Sequence, residues 1–63
     1  MLDIKKAIFW LNKAAIQRNL EAQFILGKTL YDQGKNKEAK KWIKIAIENG
    51  NEDAKLFGMK NGF

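Results

Sequence analysis

The chain has 63 residues, with 12 Lys and Arg against 7 Asp and Glu, for a net charge of +5. It holds no Cys, His or Pro, which excludes disulfides and thiolate metal sites and removes the commonest metal ligand and general base. At 46% apolar it is too hydrophobic for a disordered chain, and no apolar run nears the roughly 20 residues that span a bilayer.

The first predicted helix covers about residues 2–17, where Ala7, Trp10, Leu11, Ala14 and Ala15 recur at spacings of three and four. Its opening, "MLDIKKAIFWLNKAA", is broken by Trp10 and Lys13 and is too short for a signal peptide. With no Cys besides, a cytoplasmic location is expected. The second helix covers about 20–33, with Ala22, Ile25, Leu26, Thr29 and Leu30 in the same spacing. The third covers about 37–49 on Ala39, Trp42, Ile43, Ala46 and Ile47, and the fourth about 52–60.

Asn19 and Asn51 stand where helices begin, each with a carboxylate two places on to meet the positive end of the helix dipole. Gly34 and Gly50 stand where helices end. Connections of two to four residues make neighbouring helices antiparallel. The expectation is a single all-α domain over residues 1–63.

The chain also repeats itself. "WLNKAA" begins at Trp10 and "WIKIAI" at Trp42. At an offset of 32 residues, Lys5, Ala7, Trp10, Ala14, Asn19 and Ala22 fall on Lys37, Ala39, Trp42, Ala46, Asn51 and Ala54. Such a unit cannot bury its apolar face alone, and stacked copies share a core. Gly27 interrupts a helix, where glycine costs about 1 kcal/mol against alanine, so close approach to an Ala-rich helix is its expected role. Trp10 and Trp42 are the largest core candidates, and truncating either is expected to cost roughly 3–5 kcal/mol.

These residues resemble the Sel-one-like repeat, a relative of the tetratricopeptide repeat. The resemblance rests on Leu26-Gly27 in an A-type helix and on Ala7, Trp10, Ala14 and Ala15 in a B-type helix. The bridge from Ala14 to Phe24, of the form AAxxxNxEAQF, adds to it. It covers residues 5–55 and fades at the C-terminus, where Gly58 and Met59 occupy the Leu and Gly positions. The tetratricopeptide spacing fits nearly as well, although the 32-residue unit is shorter than the usual 34 or so. Either family implies an α-α superhelix of antiparallel helices and a non-catalytic role in protein binding. It implies a partner surface along the A helices, here Glu21, Phe24, Lys28, Tyr31 and Asp32, continued by Asp53, Leu56 and Lys60. Phe24 and Tyr31 share a face, so they form either a peptide-binding strip or a piece of core and a helix cover.

In family terms the helices run B, A, B, A, so the first lacks an A helix before it. Where the second copy has Lys40, Lys41 and Glu48, the first has Ile8, Phe9 and Ile16. With Leu2 they give the first helix a second apolar face. The expected cover is an interface, either with a second copy of the chain, joined through an isologous patch, or with a partner. The other reading has a loop or the last helix fold back over this face. In a piece of a longer array, the same face would be an internal surface.

Lys35, Lys37, Lys40, Lys41 and Lys44 form either an anion-binding patch or a solvated convex face. No aromatic is interleaved there for base stacking, so nucleic acid is not the expected partner. The carboxylates Asp3, Glu21, Asp32, Glu38, Glu48, Glu52 and Asp53 are scattered, Ser is absent, and Thr29 and Tyr31 are the only hydroxyls. No enzyme, cofactor or metal site is expected. The positive charge favours an acidic protein or peptide partner. A dedicated inhibitor or immunity-type protein binding one enzyme is the alternative function.

Overall fold

The computed structural model describes residues 3–63. Four helices follow one another: α1 (Ile4–Ile16), α2 (Leu20–Asp32), α3 (Asn36–Glu48) and α4 (Glu52–Asn61). Their first residues lie 16 apart throughout, so the 32-residue repeat is a pair of helices. The ends expected at 17, 33 and 49 draw in by one residue, since Gln17, Gln33 and Asn49 act as caps, and the start expected at 2 lies outside the described residues.

Side-chain oxygens start three of the helices. Asp3 accepts from the amides of Lys5 and Lys6, Asn19 from Ala22, and Asn51 from Ala54, at 3.0–3.3 Å. Asp3, a scattered carboxylate by sequence, is thus a helix cap. Lys35, before α3, offers no such bond.

Each helix ends in one way. A residue with positive φ follows it: Arg18 at 65°, then Gly34, Gly50 and Gly62. The next amide then reaches back five residues. Asn19 bonds the Ala14 oxygen, Lys35 that of Leu30, Asn51 that of Ala46 and Phe63 that of Gly58. Asn19 and Asn51 therefore close one helix with their backbone and open the next with their side chain. All three connections are three residues long, the one ending in Lys35 included.

Packing runs between sequence neighbours, most extensively between α2 and α3. Ala15, Ala22, Leu26, Leu30 and Ala39 form one buried cluster, flanked by Ile8, Leu11, Ala14, Tyr31 and Trp42. Ile43, Ala46 and Ala54 form a second, flanked by Phe24, Ile47, Phe57 and Phe63. Gly27 meets Ile43 rather than an alanine. A Cβ there would stand 2.7 Å from the Ile43 Cδ1, although Ala39 and Ala46 lie a turn to either side on α3.

Two polar ties cross the helices. Gln23, buried, donates to the Ala15 oxygen at 3.1 Å and accepts from the Asn49 amide at 3.2 Å. Asn51 donates its amide to the Leu20 oxygen at 3.0 Å.

The expectation for Trp10 is overturned. Trp42 is half-buried against the first cluster, while Trp10 is 64% exposed. The repeat supplies the reason. The helices that cover Trp42 precede α3, and the helix that would cover Trp10 would precede α1. No described residue takes that place.

Candidate protein-binding surfaces

The outer side of α1 follows from that missing neighbour. Phe9, Trp10 and Ile16 are mostly exposed, as is half of Ile4. The Phe9 and Trp10 rings meet edge to face at 5.6 Å. The Lys13 ammonium sits 4.9 Å above the Phe9 ring centre and 5.5 Å above that of Trp10. The result is an exposed aromatic pair with the Lys13 ammonium lying across both rings and the exposed Lys6 one turn before them. Of the four residues expected in a self-association stripe, Phe9 and Ile16 stand open to solvent. Ile8 turns inward and touches the first buried cluster. Leu2 lies outside the described residues. Sequence periodicity missed Trp10 as part of this face because the same residue in the second copy is inward.

A groove between α1 and α2 continues it. Trp10, Leu11 and Ala14 form one wall, and Ala22 and Ile25 the other, with Asn19 at the end and Glu21 on the rim.

On α2, Glu21, Lys28 and Asp32 are exposed, and Phe24 and Tyr31 are half-buried. Both aromatic rings are engaged within the chain. Phe57 meets Phe24 at 5.8 Å and Tyr31 at 5.5 Å, edge to face in each case. Phe63 closes the group, 5.6 Å from Tyr31 and 6.0 Å from Phe57. This quartet ties α2 to α4 and to Phe63, so both rings are partly taken up within the chain. The quartet was legible only in part, because Phe57 and Phe63 fall where the repeat fades.

On α4, Glu52, Lys55, Leu56 and Met59 share one open face, with Leu56 and Met59 mostly exposed. The five lysines from Lys35 to Lys44 are all exposed along α3. Lys41 folds its ammonium to 5.7 Å above the Trp42 ring, where its stem covers apolar surface. No helix among the described residues is long and apolar enough to cross a membrane.

The family model for the anaphase-promoting complex, cyclosome, subunit 3 matches residues 1–59. No curated protein and no solved structure matches the chain.

Proposed function

The chain belongs to the family of the anaphase-promoting complex, cyclosome, subunit 3, a tetratricopeptide-type repeat family, and on that premise we propose that it is a non-catalytic protein–protein interaction module that self-associates through α1. The observation that carries this reading is the exposure of Phe9, Trp10 and Ile16 on one helix. Isolated exposed apolar residues are ordinary, but a contiguous aromatic and aliphatic patch marks an interaction surface. For a domain of this size, association also adds the apolar burial that a small core lacks.

The family's printed name is that of a subunit of a larger complex, which agrees with an assembly role. Within the repeat class we place the chain on the Sel-one-like side, because the Ala14–Phe24 bridge carries that pattern. The exposed Glu21, Lys28 and Asp32, with the half-buried Phe24 and Tyr31, are the proposed contact strip for a protein or peptide partner. The net charge of +5 favours an acidic one.

Sedimentation equilibrium of the wild type beside Phe9→Asp tests this. The wild type should weigh more than one chain and the variant, with unchanged helical content, should approach one chain. A wild type of monomer mass at all concentrations overturns self-association.

A further inference from the structure

The internal repeat shows the kind of helix face that fits a groove like the one between α1 and α2. Moved by 32 residues, the groove residues Trp10, Leu11, Ala14, Asn19, Ala22 and Ile25 become Trp42, Ile43, Ala46, Asn51, Ala54 and Phe57. Those residues belong to α3 and α4, and α2 lies against them. Gly27 rests on Ile43, Phe24 and Phe57 meet edge to face, and the Leu20 oxygen receives the Asn51 amide. Gln23 of the same face takes the Asn49 amide. The occupied version of the groove is thus on view, and its occupant is the face Leu20, Gln23, Phe24 and Gly27.

Moved by the same 32 residues, that face becomes Glu52, Lys55, Leu56 and Met59. This is the open face of α4. Among the described residues, α1 and α2 therefore carry an open groove, and α4 carries the counterpart of the helix face that fills such a groove. We propose that copies of this chain associate head to tail, with α4 of one copy seated in the α1–α2 groove of the next.

Leu56 then meets Ile25 as Phe24 meets Phe57, and the Glu52 oxygen lies where Asn19 can donate to it as Asn51 does to Leu20. Met59 stands where α2 has Gly27, so α4 sits farther from its groove than α2 does. Methionine's flexible thioether suits it to fill the added space beside Leu11. Lys55 stands where α2 has Gln23, which accepts from Asn49, so by the same map it faces Gln17 of the next copy. The contact is heterologous and does not close on itself, so it builds open chains rather than a dimer. This rests on the reading of α1 as an association surface, and differs from it in the partner surface and in symmetry.

Complementation tests the arrangement. Trp10→Glu spoils the groove, and the pair Leu56→Glu with Met59→Glu spoils the α4 face; all three positions are mostly exposed. Each variant alone should sediment as a monomer, with affinity down roughly thirtyfold or more for loss of a central aromatic anchor. Mixed in equal amounts, they should form a complex of two chains, because one good groove meets one good α4 face. That rescue also shows that both variants are folded. Wild-type mass should rise with concentration without a plateau. If the α4 variant associates like the wild type while Trp10→Glu does not, and mixing rescues nothing, α1 meets α1 and head-to-tail stacking is overturned. A wild type that stays monomeric to about 1 mM overturns both readings.

Discussion

Ile43 fills the space that a Cβ on Gly27 would need. That Cβ would lie 2.7 Å from the Ile43 Cδ1, 2.8 Å from its Cγ1 and 3.2 Å from its backbone nitrogen. The first two atoms can swing away, but the third is backbone in the middle of a helix. The spacing between α2 and α3 is therefore set by the absence of a side chain at one position.

Gly27→Ala is expected to destabilise the chain by roughly 1–3 kcal/mol, since overpacking outweighs the gain of about 1 kcal/mol in helix propensity. The penalty should shrink in an Ile43→Ala background, where the crowding side chain is gone. Urea unfolding of the two single variants and the double variant measures that coupling. Additive effects would mean that Gly27 and Ile43 do not constrain each other.

Arg18 holds a left-handed conformation, φ 65°, at the position that Gly50 holds in the second copy. A side chain there costs about 1–2 kcal/mol. Arg18→Gly should therefore raise stability by roughly 0.5–1 kcal/mol, part of the relief being lost to the greater freedom of glycine in the unfolded chain. Gly50→Arg should do the reverse. The shift in unfolding midpoint at constant denaturant slope reads both.

Asn19 and Asn51 separate in the same manner. Both cap a helix through Oδ1, but only the Asn51 amide has a second bond, to Leu20, among the described residues. An aspartate keeps the cap and gains a little from the helix dipole, yet cannot donate. Asn51→Asp should lose roughly 1–2 kcal/mol relative to Asn19→Asp, the worth of that bond plus a carboxylate set against a carbonyl. Thermal unfolding of the two variants at one pH checks the difference. Equal stabilities would remove the Asn51–Leu20 tie from the account.

The fold was largely legible because local and periodic signals agreed. Asn19, Asn51, Gly34 and Gly50 mark the helix ends, and the 32-residue offset of Trp10 on Trp42 marks the pairing of helices. The same offset misled on Trp10. Equivalent positions in a repeat have equivalent surroundings only if both have neighbours, and among the described residues no helix lies over Trp10. Periodicity reports which way a side chain points from its helix, not whether another helix is there to meet it. Ile8 shows the converse: its charged counterpart Lys40 placed it outside, while the turn of α1 carries it against the core. The Phe24–Phe57–Tyr31–Phe63 group escaped for another reason. It joins residues across α2, α4 and the chain end, and no spacing within a helix encodes that contact.

The association account turns on the surroundings of Trp10, and single-tryptophan fluorescence reads them directly. Trp42→Phe leaves Trp10 as the only indole, and Trp10→Phe leaves Trp42. Acrylamide quenching of each variant would be followed from dilute to concentrated solution. The account predicts that Trp10 is quenched freely when dilute and becomes shielded as concentration rises, while Trp42 is partly shielded throughout. A Trp10 shielded equally at every concentration would mean that the chain covers it by itself, and a Trp10 open at every concentration would mean that α1 is not where copies meet. Either result contradicts the account.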